Sequence, residues 1–221
     1  MPSGVIDGLA NAGGEREGSS FAVAPGVVTN NLDLISEGRV QVRIPARPAF
    51  EPWARLPAVG GAAGRGFLWV PQIDDEVLVA FADGDLSSAF VLGGLWSTRK
   101  KPPLSLISDF QSKKLFKTGL TEALGHEFEF DDAKQSITIT TSTKQKLTLE
   151  PTKIELSNLA GSVTIKLDNA SQEVSIVALN KISLKSLAIE LNAPTIDITG
   201  ANVSVTATGP VSVTGLPIKL N

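Results

Sequence analysis

Val174-Ser175-Ile176, Ile182-Ser183-Leu184, Ile189-Glu190-Leu191 and Ile196-Asp197-Ile198 repeat one unit, two large aliphatic residues spaced two apart around a polar one, at intervals of 8, 7 and 7 residues. Successive side chains of an extended strand point to opposite faces, so each unit puts both aliphatics on one side and its polar residue on the other. The pairing starts earlier, at Ile137/Ile139, Leu147/Leu149, Ile154/Leu156 and Val163/Ile165/Leu167, and runs on through Val203/Val205, Val211/Val213 and Ile218/Leu220. A unit recurring at nearly fixed spacing predicts stacked strands. Seven or eight residues make one short strand and a corner. Asn180, Asn192, Gly200, Gly209 and Gly215 fall at the corners, which fits a tight polygonal winding better than a two-layer sandwich with true hairpins.

A single chain wound this way leaves its aliphatic side in water while still losing backbone entropy at every ordered residue. Three copies around one axis would share that side as a core, pair each strand with a neighbouring chain and remove most free edges. The repeat therefore predicts a homotrimer with an intertwined, triple-stranded β-helical needle over residues 126–221. At about 4.8 Å per stacked strand, its apolar pairs would build a rod roughly 5 nm long. No aromatic residue follows Phe130, and after Glu190 only Asp197 and Lys219 carry charge. Both features suit a narrow three-fold core inside a slim, Ser/Thr-coated tip.

The rest of the chain has a different composition. All three Trp and all nine Phe lie at or before Phe130, every Arg at or before Arg99, and every Lys at or after Lys100. Residues 1–25 read as a flexible arm. Short strands are expected at Gly26–Thr29, Gly38–Ile44, Gly66–Val70, Glu76–Phe81 and Ala89–Gly93, with Asp83-Gly84-Asp85 as a turn. Pro45, Pro48, Pro52 and Pro57 mark a loop. Five short strands without helical periodicity predict a small closed barrel over residues 26–99. Residues 100–125, opening on Lys100-Lys101-Pro102-Pro103, read as a connector. The fold class is all-β.

Composition narrows the function. With no cysteine, the chain forms neither disulfides nor thiolate-bound zinc. The net charge of -3 opposes nucleic acid as a partner, since phosphate binding draws its affinity from concentrated Lys and Arg. No run of about 18 apolar residues is present, and Met1–Ser20 lacks an apolar signal core, so synthesis in the cytoplasm without a signal peptide or membrane span is expected.

Four spaced blocks then resemble one family. Gly38-Arg39-Val40-Gln41-Val42-Arg43-Ile44-Pro45, Phe67-Leu68-Trp69-Val70-Pro71-Gln72-Ile73-Asp74-Asp75-Glu76-Val77-Leu78-Val79, Phe81-Ala82-Asp83-Gly84-Asp85 and Val91-Leu92-Gly93-Gly94-Leu95-Trp96 are similar to the barrel of VgrG and phage baseplate assembly protein V (gpV-like) spikes. Lys101-Pro102-Pro103 follows it as in that family, and Gly125-His126-Glu127-Phe128-Glu129-Phe130-Asp131-Asp132 resembles the hairpin that opens the VgrG needle. The resemblance implies an oligonucleotide/oligosaccharide-binding (OB) fold barrel and a homotrimeric central spike of a contractile injection system. Such a spike docks on a baseplate hub and is driven through a target membrane. The closing Gly215–Asn221 resembles the blunt end that seats a conical PAAR-repeat protein. It implies tip docking by Val211, Val213, Leu216, Pro217, Ile218, Lys219, Leu220 and Asn221. A large hub domain would precede the barrel in a full-length VgrG, and no HxH metal motif closes the chain, so a separate hub and a separate tip protein are expected. Trp53, in its Pro-rich loop, is expected to be exposed and to touch the hub, with Arg55 beside it.

Candidate chemistry is sparse. Asp74-Asp75-Glu76 reads as a solvated turn before a strand, and Asp131-Asp132 as hairpin-turn chemistry. His126, the only histidine, would share a strand face with Phe128 and Phe130 while Glu127 and Glu129 take the other, so they cannot jointly hold a metal. No nucleophile-elbow motif surrounds any Ser. No catalytic residue, cofactor or metal is expected. The alternatives are a β-helical adhesin or carbohydrate-binding protein, and a single-strand nucleic-acid binder using Trp53, Phe67, Trp69, Phe81 and Trp96 as stacking platforms.

Overall fold

The structure is a computed structural model that describes residues 23–104, 106–119, 121 and 124–219. It divides into two units, the first ending at Val177 and the second running from Ala178. The first unit contains a barrel and a sheet.

The barrel is built from β1 (Val23–Asn30), β2 (Arg39–Arg43), β3 (Trp53–Arg55), β4 (Glu76–Phe81) and β5 (Ala89–Gly94), closed in the order β1-β2-β3-β5-β4. All of its pairings are antiparallel except β3 with β5, which join in parallel at Arg55 and Phe90. Alternation sets the inside. Val40 and Val42 of β2, Ala54 of β3, Val77, Val79 and Phe81 of β4, and Ala89 and Val91 of β5 all point inward with Val28 and Ile44. Gly26 lies where β1 crosses this core. A Cβ there would sit 3.0–3.2 Å from Val42, Ile44 and Val79 side-chain atoms, so glycine lets the barrel close over a full complement of branched residues. Asp83 and Gly84 take positive φ in the short turn after β4, as the Asp-Gly-Asp run predicts.

Two expectations for the barrel are corrected. The third strand is Trp53–Arg55, inside the stretch read as a proline loop. Pro52 is not an obstacle, because its carbonyl still accepts from the Val42 amide and the strand begins just after it. Conversely, Gly66–Val70 forms no strand. Its period-two aromatics are instead used side-on: Phe67 and Trp69 both contact the Phe116 ring, at 5.4 and 5.2 Å between centroids and nearly edge-on.

The sheet has seven strands: β6 (Lys113–Lys117), β7 (Glu127–Asp131), β8 (Ser136–Thr140), β9 (Lys146–Leu149), β10 (Lys153–Ser157), β11 (Val163–Asp168) and β12 (Glu173–Ala178). Each neighbours the next in sequence. The segment read as a connector thus supplies a one-and-a-half-turn helix, α1 (Ile107–Ser112), and the first strand, since β6 pairs with β7 across five residues. Gly125–Asp132 does open a hairpin, β7–β8. Winding around polygonal corners is not what this chain does between residues 127 and 178: true hairpins join the strands. The left-handed backbone that tight turns require is supplied by Gln135, Lys144, Gly161 and Gln172, with φ from 53° to 67°. Three of these are not glycine, which is why the turns are hard to read in sequence.

In the second unit, described to residue 219, no strand forms and the side chains of the apolar pairs are exposed.

Candidate functional site

Register fixes what each face of the sheet carries. One row runs Phe116, Phe128, Ile139, Leu147, Leu156, Ile165, and a parallel one runs Phe130, Ile137, Leu149, Ile154, Leu167, each residue directly opposite the next. Val163, Val174 and Ile176 extend the apolar character to β11 and β12. Phe128 and Phe130 pack together at 4.6 Å. Aligned pairs of this kind stabilise a sheet, and they also make one continuous apolar surface.

That surface is the open side of the sheet. Ile137, Leu147 and Leu149 are half-buried, and the rest of it is exposed, from 36% at Phe128 to 67% at Val174. The opposite face is polar and better covered. Glu129, Thr138, Thr148, Glu155 and Lys166 form one of its rows, and Asp131, Ser136 and Thr148 are its buried residues. Ion pairs line this face, across strands at Lys113 and Lys117 and within one strand at Lys153 and Lys166. Lys113 Nζ lies 3.3 Å from Glu129, 3.6 Å from Asp109 and 3.9 Å from Asp131. Lys117 meets Glu127, Lys153 meets Glu155 and Lys166 meets Asp168, at 2.8–3.3 Å.

Electrostatics on this face favour the ionised forms. Burial pushes the Asp131 carboxyl up, but the Lys134 amide together with the Lys134 and Lys113 charges outweighs it and holds the group below its usual range. Burial likewise disfavours the Lys113 ammonium, yet the hydrogen bond and charge of Glu129, with Asp109 and Asp131, raise it. The Lys166 hydrogen bond and the Ser171 and Ala170 amides hold Asp168 far below the usual carboxylate range. Polar residues are thus satisfied within one chain, whereas apolar residues are not. The apolar face is the exposed side of the sheet among the described residues.

The other candidate positions are scattered. Val211, Val213, Leu216, Pro217, Ile218 and Lys219 are exposed in the second unit, while Leu220 and Asn221 lie outside the described residues, as does most of the 1–25 arm. Trp53 is not in an exposed loop but half-buried on β3. The Arg39 guanidinium covers its ring at 5.5 Å, and Arg55 lies 5.8 Å over Phe90 on the same outer face. These cation–π stacks turn a loop contact into a patch of the barrel wall.

Asp75 spends its carboxylate on structure, accepting from the Gln72 amide at 2.8 Å and from Lys100 Nζ at 3.0 Å. His126 Nδ1 accepts from the Ser142 amide across the sheet. Among the described residues, no group of three His, Cys, Asp or Glu side chains is placed to hold a metal ion.

Sequence reasoning missed two features. One is the Phe67–Trp69–Phe116 cluster between barrel and sheet, whose signal was the period-two aromatics. The other is the β1–β2 loop, residues 31–38, where Asp33 immediately precedes the apolar pair Leu34-Ile35.

Residues 24–96 match the family of the Type VI secretion system/phage-baseplate injector OB domain. The barrel is the part of the chain that is similar to that domain. The matched span coincides with Val23–Gly94, the five strands of the closed barrel, to within two residues. No curated protein matches the chain. The matched barrel is followed, after α1, by a sheet whose apolar face is its exposed side.

Proposed function

We propose that this chain is the central spike of a contractile injection machine, a structural protein rather than an enzyme. The injector barrel supports a place in the baseplate. The finer reading is carried by one observation: two aligned apolar rows, one crossing six strands of the sheet and the other five, stay largely exposed among the described residues. Three copies, each turning this face to a common axis, bury the rows against one another and leave the Lys/Glu/Thr face in water. In residues 179–219, where the chain supplies no ladder of its own, the neighbouring strands come from the other two copies. Completion by like chains there satisfies the backbone N–H and C=O groups that a rod of single strands would leave unpaired.

The remaining assignments follow from position. The outer patch of Arg39, Trp53, Arg55 and Phe90 is the surface we assign to the hub. Val211–Asn221, with its exposed Leu216 and Ile218, is the seat for a PAAR-type tip protein. Sheath contraction would carry this end through the target membrane. No helix among the described residues is long and apolar enough to cross a membrane.

Light scattering of the purified chain in native buffer tests the assembly. A mass about three times 23.2 kDa is expected; a clean single-chain mass at micromolar concentration would overturn the reading.

A further inference from the structure

The loop between β1 and β2 is built rigidly yet displays large aliphatic side chains. Asp33 organises it. Its carboxylate accepts from the backbone amides of Ile35, Glu37 and Arg39, at 3.4, 2.8 and 3.2 Å, and from the Arg39 guanidinium at 3.1 Å. Asn30 adds a bond to the Leu32 amide, and Ser36 and Gly38 take positive φ. Leu32, Leu34 and Ile35 project from this frame at 70, 93 and 63% exposure. A loop already fixed in one conformation gives up little entropy when its apolar tips are buried, which is the property of an anchor.

A receiving surface lies at the same end of the barrel. Val27 near the end of β1 is opposite Glu76 at the start of β4, and Val77 is opposite Gly94 at the end of β5. The loop therefore leaves the barrel at the end from which the chain runs on toward β6. There Trp69, Leu95, Trp96 and Phe116 line a groove rimmed by Lys100 and Lys101, with Trp96 70% exposed. Through Phe116 this groove is continuous with the open apolar face of the sheet.

The charge balance leans the right way. Glu37 at the loop pairs with Arg39 at 3.3 Å but is largely exposed, and the groove carries Arg99, Lys100, Lys101 and Lys117 against Asp75 and Glu76, with Lys100 paired to Asp75. Leu34 is bare, so it is not seated in the groove of its own chain. A ring of identical subunits requires two unlike, complementary patches on each one.

We propose that residues 32–35 form an apolar latch that seats in the Trp69/Trp96 groove of a second copy of this chain, closing the ring of copies at the level of the barrel. This rests on the trimeric reading above but specifies which surfaces meet. The absence of cysteine allows a direct test. The full-length Leu34→Cys/Trp96→Cys chain is oxidised mildly and run on a non-reducing denaturing gel, beside each single variant and beside native light scattering. A covalent trimer from the double variant, with the single variants giving none, is expected. The pair Ile35→Cys/Leu95→Cys provides a second geometry, and replaces the first if that variant lacks the parent far-UV circular dichroism. If the native mass is trimeric but both pairs stay unlinked, close within one chain, or link no better than the single variants, the latch is wrong while the trimer stands. A single-chain native mass removes both.

Discussion

The barrel, antiparallel but for one pairing, and the antiparallel sheet that follows it are both aliphatic, yet they end in opposite conditions. In the barrel, strand alternation turns every large inward residue onto others of the same chain, and Val28, Val40, Val42, Val77 and Val79 are completely buried. In the sheet, alternation is equally regular, but among the described residues its apolar face stays largely exposed. The same pattern of residues thus yields a finished core where the sheet curls onto itself, and an unfinished one where it extends in a line. Closure, not hydrophobicity, decides which part of the chain is self-sufficient.

Charge substitutions on the two surfaces should break this contrast most visibly. Val79→Asp places an unpaired carboxylate inside the barrel and is expected to cost roughly 3 kcal/mol or more, seen as a collapse of the unfolding midpoint. Leu156→Asp, on the open face, should leave the barrel's tryptophan emission unchanged while lowering the native mass toward one chain. A Leu156→Asp chain that keeps a threefold mass would show that the rows are not the contact.

Acid provides the next test, because the two parts can be read separately. All three Trp precede residue 100, so their emission reports the barrel and, through Trp69, its contact with Phe116. The sheet holds Asp131, Glu155 and Asp168 below their ordinary range, and the barrel holds Asp33 and Asp85 so. A carboxyl depressed in the fold contributes stability that is complete above its unfolded value, about 4, and is lost as pH falls through the lower folded value. Lys113, raised in the fold, keeps its contribution up to its ordinary range and loses it only above. Thermal melts between pH 7 and 2 should therefore show the circular-dichroism transition of the sheet falling below about pH 4. Asp131→Asn should flatten that fall. Melts that are flat across this range for the parent chain would remove the ion-pair ladder as a contributor.

The smallest effect concerns the junction. Phe116→Ala removes the ring shared by Phe67 and Trp69 and should lower stability by about 1–2 kcal/mol, with a red shift in tryptophan emission. No shift would mean that the aromatic trio does not couple barrel to sheet.

Much of this division could be read from residue order. β2, β4 and β5 follow from simple alternation, and the apolar pairs name the row members of β8–β11 in advance. Legibility failed where a side chain from far along the chain decided the outcome. Phe67 and Trp69 have the spacing of a strand, but their partner is Phe116 and the contact is ring to ring, which no local pattern encodes. β3 is three residues long beside Pro52, too short for periodicity to outweigh the proline signal. The hairpins between β8 and β12 use Lys144 and Gln172 in left-handed backbone, residue types that carry little turn signal. At the barrel wall, Trp53 was read from its proline-rich surroundings, whereas its position is set by the Arg39 stack across from β2.

The seven strands follow one another in space in the same order as in sequence. Each strand therefore touches only its immediate predecessor and successor, and the interactions between strands are nearest-neighbour ones. An architecture of this kind is a ruler with removable divisions. Gaining or losing one hairpin changes its reach by two strand spacings, about 9.6 Å, and leaves the remaining pairings as they were. Length is the property such a chain can alter in small, uniform steps without redesigning its ends.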